Sequence, residues 1–173
     1  MQLPKDLLNV VGKETIVWAD KPLFTPFILK RLPALIFPLL FMLFPLLIFW
    51  GTGAPINPIV ILFFMFWYGF LFFIVFTIIV YPILVWRNLF YVLTEKRIII
   101  RKGIIGIDFD ILKLELIQQI NVNVGIIDRA YGTGSLIIQA MGVQPLIIEN
   151  VKNPLIVREK LEKLLEKKTN SGF

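Results

Sequence analysis

Residues 32–86 contain no Lys, Arg, Asp or Glu, and this run of fifty-five uncharged residues limits the folds available to the chain. A small soluble domain does not need so long an uncharged segment. Hydrocarbon does require one, because a charged side chain at the bilayer centre costs several kcal/mol. The chain is also 57% hydrophobic and only 17% charged, both outside the usual range for soluble proteins. We therefore expect residues 32–86 to lie in a membrane.

The uncharged run divides into two predicted transmembrane helices. Residues 32–50 span about 28 Å as a helix, close to the thickness of the hydrocarbon core. Residues 59–86 span about 42 Å, so this helix is expected to tilt, to kink at Pro82 or to protrude from the bilayer. Residues 51–58 (GTGAPINP) are rich in Gly and Pro and predict a turn. A two-helix hairpin of this kind returns the chain to the side from which it entered.

The flanking charges predict the orientation of this hairpin. Lys30 and Arg31 precede the first helix and Arg87 follows the second, whereas residues 51–58 carry no charge. Because positive residues are retained in the cytoplasm, both termini are expected there, including the N-terminal segment 1–31. The sequence therefore predicts a multi-pass protein of the cell membrane.

The chain contains few of the side chains that usually carry out chemistry. It has no Cys and no His, and so lacks the commonest nucleophiles, general bases and metal ligands. Asp108 and Asp110 share a strand face, but two carboxylates without a third ligand make a poor metal site. We expect no catalysis, no cofactor and no metal, and place an enzyme or transporter last among the alternatives. Nucleic-acid binding is not favoured either, because membrane topology accounts for the basic charge and no recognition motif occurs.

After Arg87 the hydrophobic pattern changes from helical to strand-like. Polar and apolar residues alternate in short segments about ten residues apart, which favours an antiparallel sandwich or barrel. A C-terminal amphipathic helix then caps the strands, because apolar residues recur on one face of it. We expect a cytoplasmic β domain over 87–168 and a frayed tail over 169–173. The predicted strands are 90–93, 97–102, 107–114, 119–124, 134–141 and 145–151, and the predicted helix is 155–168.

A further strand is predicted ahead of the membrane segment. Residues 15–19 are β-branched and aromatic, with Ile16 and Trp18 on one face, and Pro22 ends the segment. The hairpin brings this segment back within reach of the β domain, so we expect it to pair with an open sheet edge and to bury Trp18. The alternative is that Trp18 lies in the headgroup layer as an interfacial anchor.

Several motifs resemble one known family. They are GKETIVWADKP before the membrane segment, YVLTEKRIIIRKGIIG and ELIQQINVNVG after it, then IIDRAYGTGSLII, and ENVKNP before the last helix. Together they are similar to membrane-flanked bacterial PH domains of the DUF304 type, in the same order along the chain. The resemblance implies a membrane α-helical hairpin plus an all-β PH-like sandwich or barrel capped by a C-terminal helix. It implies neither an enzyme nor a particular ligand, and Asp108 and Asp110 depart from the basic residues that are frequent at that point.

The strongest candidate site in the sequence is basic. A cluster beside a membrane attracts anionic lipid headgroups at about 1 kcal/mol per residue. The alternative is that these charges only set topology and solubility. Strand alternation places Arg97 and Arg101 on one face and Lys102 on the other, so they need not form one pocket. The candidates for lipid or anion contact are Arg87, Lys96, Arg97, Arg101 and Lys102.

Three apolar residues are candidates for interfaces. Ile104 and Ile105 form the tip of a turn between Gly103 and Gly106, and Trp18 belongs to the predicted N-terminal strand. Exposed adjacent isoleucines are unusual unless something covers them, so we expect the tip to contact the bilayer or a neighbouring subunit. The sequence as a whole predicts a non-catalytic binding or scaffold module at the cytoplasmic face of the membrane. The alternatives are an anionic-lipid sensor and a subunit of a membrane assembly, either a homo-oligomer or a complex with another membrane protein.

Overall fold

The computed structural model of the protein describes residues 3–52 and 57–171. These residues form two units. The first combines the chain up to Phe27 with the chain from Val85 onward, and the second is Ile28–Leu84. The elements in chain order are α1 (Lys5–Val11), β1 (Ile16–Asp20), α2 (Phe24–Leu29), α3 (Ile36–Thr52), α4 (Pro58–Asn88), β2 (Phe90–Thr94), β3 (Arg97–Lys102), β4 (Asp108–Lys113), β5 (Ile117–Asn123), α5 (Ile126–Tyr131), β6 (Thr133–Ala140), β7 (Leu146–Lys152) and α6 (Pro154–Ser171).

The strands form two antiparallel sheets, β1-β2-β3-β4 and β5-β6-β7. β1 is the N-terminal strand that the sequence predicts, and it pairs with β2 at the edge of the first sheet. In this register Trp18 lies opposite Leu93 and Asp20 lies opposite Tyr91. Trp18 is half-buried, so the expected burial of its ring is only partial.

The pairing of β1 with β2 places α2, α3 and α4 between two neighbouring strands. We call these three helices the helical insertion. The chain leaves the first sheet after Asp20 and returns to it at Phe90, so both connections lie at the same end of that sheet. We call this end (residues 20–22, 86–90 and 102–107) the insertion end. The opposite end (residues 14–16, 94–97 and 113–115) is the distal end.

One face of the first sheet is covered by α1, a helix that the sequence analysis did not predict. Leu7 and Val11 are fully buried against Val92 and Ile99. Leu7 and Val11 are four residues apart and therefore project from the same side of the helix. Seven residues form no stable helix alone, so this contact with the sheet is what stabilises α1.

The other face of the first sheet forms the main core with the second sheet. The Tyr91 hydroxyl accepts a hydrogen bond from the Glu149 N–H at 3.1 Å, which joins β2 to β7 across this core. α6 contacts β5 and β6 and buries Val157 and Leu161. The buried residues of this layer are Tyr91, Leu93, Ile98, Ile100, Leu112, Leu136, Ile138 and Ile148.

The last helix is longer than the sequence analysis expects. α6 runs to Ser171, past the expected end at residue 168, and so includes part of the segment expected to fray. Residues 172–173 lie outside the described part of the chain.

The second unit contains most of the helical insertion. The expected single helix over 32–50 is instead a 3₁₀ turn, Leu32–Leu35, followed by α3. Pro33 lies at the start of that turn, where its missing N–H needs no partner. α3 and α4 contact each other: the Trp67 indole donates a hydrogen bond to the Phe41 carbonyl at 3.3 Å, and the two rings stack. Residues 53–56 of the predicted turn lie outside the described residues.

Replacing Leu7 tests whether α1 is part of the folded domain. Leu7→Ala removes a fully buried side chain and should lower the free energy of unfolding by about 2–5 kcal/mol. Leu8→Ala is the matched control, because Leu8 is 45% exposed and the same change there should cost little. Thermal unfolding of the two purified variants in detergent measures the difference. Equal melting temperatures would show that α1 is not docked on the sheet.

Candidate functional site

The insertion end gathers a lysine, an arginine and two aromatic rings. The Lys21 ammonium lies 3.8 Å from the ring centre of Trp86 and 4.8 Å from that of Phe90. It also donates a hydrogen bond to the Arg87 carbonyl at 3.0 Å. A cation over aromatic faces is stabilised by the ring quadrupoles. These contacts hold Lys21 beside Arg87, whose side chain is exposed.

Trp86 joins the segment that follows β1 to the segment that precedes β2. Its indole N–H donates to the Pro22 carbonyl at 2.7 Å, and the Phe24 ring packs edge-on against it with the centroids 4.9 Å apart. A half-buried indole needs a hydrogen-bond acceptor, and Pro22 supplies it. The two connections to the helical insertion are therefore fixed side by side.

The electrostatics of this end favour an anion. Burial, and then the positive charges of Arg101 and Arg87, lower the pKa of Lys21. The nearby cations therefore disfavour the protonated form of Lys21. An anionic group bound here would reduce that repulsion.

Arg101 has an internal role at the same end. Its side chain is 8% exposed, and its Nε donates to the Asp6 carboxylate of α1 at 2.6 Å. Its Nη1 donates to the Asn88 carbonyl at 2.9 Å. The hydrogen bond from Arg101 lowers the pKa of Asp6. Arg101 thus joins α1 to the last residue of α4, and much of its donor capacity is already in use.

The β3–β4 turn completes the insertion end. The Asn88 side-chain amide donates to the Gly103 carbonyl at 3.1 Å, which holds the turn beside the end of α4. Gly103 has φ +124°, and a Cβ there would lie 2.1 Å from the Gly106 oxygen, so the turn requires glycine. At the tip Ile105 is fully exposed and Ile104 is half-buried.

The structure divides the five predicted basic residues between the two ends of the first sheet. Three of them, Arg87, Arg101 and Lys102, lie at the insertion end, where Lys102 forms an ion pair with Asp110 of β4. Lys96 and Arg97 lie at the distal end, in and after the β2–β3 turn. Lys21, which the sequence analysis did not include, belongs with the first group. It was missed because only the pairing of β1 with β2 brings it close.

Arg97 joins three parts of the distal end. Its guanidinium forms an ion pair with Glu14 at 3.0 Å and donates to the Val10 carbonyl of α1 at 3.0 Å. The buried Thr94 hydroxyl also donates to Glu14, at 2.8 Å. Burial raises the pKa of Glu14, but the hydrogen bonds from Thr94 and Arg97 outweigh it and keep the pKa below its usual value. Glu14 therefore stays ionised and paired at neutral pH.

A cleft of about 880 Å³ opens beside this cluster. It is lined by the segment leading into β1, by the β2–β3 turn, by the end of β4 and by the last turns of α6. Sequence reasoning missed this cleft, because four segments distant in sequence form it and none has a motif. Its cations are Lys96, Arg97, Lys113, Lys167 and Lys168.

Metal-ligating side chains do not cluster among the residues that the structure describes. Among residues 3–52 and 57–171, no group of three or more His, Cys, Asp or Glu is placed to hold a metal ion.

Comparisons with known proteins give one family and one solved structure. A family model described as "Bacterial PH domain" matches residues 28–170. A crystal structure of a DUF1696 family protein with a pleckstrin-homology domain, from Shewanella loihica PV-4, is similar with a TM-score of 0.38 and 17% sequence identity. The match covers 44% of this chain and 70% of that chain. A search of curated proteins finds no match.

The ion pair between Asp6 and Arg101 predicts a pH-dependent contribution to stability. The pKa of Asp6 is lower in the folded protein than its ordinary value of 3.8, so the pair stabilises the fold above that value. The contribution of the ion pair is lost as the pH falls through the pKa that Asp6 has in the folded protein. Asp6→Asn should therefore lower stability near pH 7, on the order of 1–3 kcal/mol, with the difference from wild type shrinking below about pH 4.

The exposed Asp108 is the matched control for this experiment. Asp108→Asn should unfold like the wild type across the same pH series. Thermal unfolding in detergent between about pH 7 and pH 3 measures both variants. A difference between Asp6→Asn and wild type that does not change with pH would contradict the assignment.

Proposed function

The chain belongs to the bacterial PH domain family, and from this premise we propose that it is a membrane-anchored, non-catalytic binding or scaffold module. The family match supports the PH-like part of this proposal. We further propose that the chain is of the membrane-flanked DUF304 type, which its sequence motifs resemble.

The apolar surface of the helical insertion carries the anchoring part of the proposal. Two helical stretches, Phe24–Leu47 and Pro58–Asn88, are long and apolar enough to cross a membrane. Only 11% and 6% of their most apolar windows are buried by the protein. Side chains such as Phe66 and Phe72 are more than two thirds exposed. Apolar surface of this extent is unfavourable in water, and a bilayer would cover it.

The charges that flank the helices support an orientation. Within the first stretch, Lys30 and Arg31 lie just before the uncharged residues 32–47, and Arg87 lies at the end of the second stretch. With both flanks retained in the cytoplasm, the chain would cross the cell membrane twice and keep both termini inside. The PH-like domain would then lie at the cytoplasmic face.

We place the Ile104–Ile105 tip at the bilayer surface. The tip is held beside Asn88, the last residue of α4, by the bond to Gly103. The full exposure of Ile105 at this point suits insertion into the headgroup layer. Trp18 is half-buried within the first sheet, and we propose no separate interface for it.

Anionic-lipid sensing is a second candidate function. Lys21 and Arg87 lie together at the insertion end, and burial, followed by the positive charges of Arg101 and Arg87, lowers the pKa of Lys21. Lipid phosphates next to the helical insertion would meet this charge first. Each such residue contributes about 1 kcal/mol to binding of an anionic surface.

A role in a membrane assembly is the remaining alternative. β5 is an edge strand of the second sheet, and its seven residues include no charged side chain. Charged residues on edge strands normally prevent pairing between molecules. The uncharged edge of β5 therefore favours contact with a second copy or with another membrane protein.

Cysteine labelling in intact cells tests the anchoring and the orientation. The chain has no native Cys, so single substitutions report without background. With an impermeant maleimide, Gly53→Cys should react in intact cells and Ser171→Cys only after permeabilisation. The wild type is the unlabelled control, and both variants should fractionate with membranes. Reaction of the Ser171→Cys variant in intact cells, or recovery of the protein in the soluble fraction, would contradict the proposal.

Lipid co-purification tests the second candidate function. Replacing Lys21 and Arg87 by Gln should reduce the ratio of anionic to zwitterionic lipid retained by the purified protein several-fold, at about 1 kcal/mol per residue. Lys113→Gln with Lys167→Gln is the matched control, because it removes the same charge at the distal end. The single variant Arg87→Gln is a second test that leaves the packing of Lys21 in place, because the Arg87 side chain is exposed. Unchanged lipid ratios in a folded double variant would exclude this end as the lipid site.

A further inference from the structure

We propose that the cleft at the distal end binds an extended, acidic peptide segment of a partner protein. The proposal rests on the proposed function, from which it takes the position of the membrane. The chemistry of the ligand is inferred from the residues that line the cleft. A protein with an acidic segment is the class of partner that the proposed binding or scaffold module would recruit.

The charges of the cleft are only partly neutralised within the protein. Glu14 is paired with Arg97, and Glu115 is paired with Lys168. The hydrogen bond from Lys168 lowers the pKa of Glu115, so this pair is charged at neutral pH.

Three lysines remain after these pairs are formed. Lys96, Lys113 and Lys167 are exposed and form no ion pair among the described residues. Glu95 is the only other carboxylate that lines the cleft within the described part of the chain. The cleft therefore presents an excess of positive charge that is complementary to an acidic ligand.

The arrangement of these cations favours a peptide over a single phosphate group. Compact phosphate sites use backbone N–H groups at a helix N-terminus or bidentate arginines. Here the arginine is committed to Glu14, and the lysines come from three separate elements. The cleft is about 880 Å³ and includes apolar surface from Val17 and Leu164. A ligand that carries several carboxylates along its length, with apolar side chains between them, fits such a surface.

The edge of the first sheet provides a means of binding an extended chain. Among the described strands, β1 pairs with β2 alone, and Thr15, just before β1, and Val17, within it, line the cleft. An extended segment can add to such an edge through main-chain hydrogen bonds while its side chains enter the adjoining cleft. Carboxylates on that segment would then meet the lysines of α6 and of the β2–β3 turn.

The position of the cleft distinguishes it from the lipid-facing site. It lies at the distal end, separated from the insertion end by the length of β2, which is about 16 Å for five residues at 3.3 Å each. The cleft and the proposed lipid site therefore lie at opposite ends of the first sheet, within one unit of the fold.

Peptide binding to the full-length protein in lipid nanodiscs tests the proposal. The probe is a short fluorescein-labelled peptide of alternating Glu and Leu, and its control has Gln in place of every Glu. Fluorescence anisotropy at physiological salt should show binding of the Glu peptide only. Replacing Lys96, Lys113 and Lys167 by Gln should weaken that binding about tenfold or more, because all three charges act on the same ligand.

A matched triple variant separates the cleft from overall charge. Replacing Lys5, Lys152 and Lys160 by Gln removes the same charge outside the cleft and should change the affinity less than about twofold. Equal loss in both triple variants, equal binding of the Gln peptide or no binding of the Glu peptide would each overturn the proposal. Displacement of the peptide by inorganic phosphate at low concentration would assign the cleft to a phosphate ligand instead. Failure of the protein to enter nanodiscs would contradict the proposed anchoring, whereas the peptide measurements concern the cleft alone.

Discussion

β1 and β2 are hydrogen-bonded neighbours although α2, α3 and α4 lie between them in the chain. Closing a flexible loop as long as the segment between residues 20 and 90 would cost about 4 kcal/mol in chain entropy. Contacts at both ends of the first sheet offset this cost. Trp86 binds the Pro22 carbonyl at the insertion end, and Glu14 binds Arg97 at the distal end. In the proposed topology the bilayer lowers the cost further, because a two-span insertion returns the chain to its starting side.

This closure gives the first sheet two chemically different ends. At the insertion end, the aromatic rings of Trp86 and Phe90 contact the Lys21 ammonium. At the distal end, lysines from separate elements line an open cleft. Lys96 and Lys102 are close in sequence but belong to opposite ends, because β3 runs between them. Basic residues that form one cluster in the sequence therefore belong to two separate surfaces of the sheet.

The sequence predicts the strands and the long helices of this fold well and the short helices poorly. β2, β3 and α6 follow from clear periodicities, and β1 follows from its β-branched residues and the Pro22 stop. Three short helices, α1, α2 and α5, were missed, and α1 and α5 depend on specific side-chain contacts. α1 depends on the burial of Leu7 and Val11, and α5 depends on Asp128, which accepts hydrogen bonds from the Gly125 N–H and the Thr133 hydroxyl. The contacts of α1 join residues far apart in sequence, whereas those of α5 are local but belong to a helix of six residues, too short to show a helical periodicity.

The sequence names Arg97 and Arg101 as candidates for anion contact, whereas the structure pairs both of them with carboxylates inside the fold, and the chemistry of arginine explains the difference. A guanidinium has several donors in a fixed plane and can satisfy a carboxylate and a carbonyl together. Arg101 does this with Asp6 and Asn88, and Arg97 does so with Glu14 and Val10. Both are held in the fold by the donors that made them attractive as anion ligands. The lysines, whose single ammonium forms fewer directional bonds, are left more available. A net charge of +6 therefore says little about where an anion binds until the internal ion pairs have been assigned.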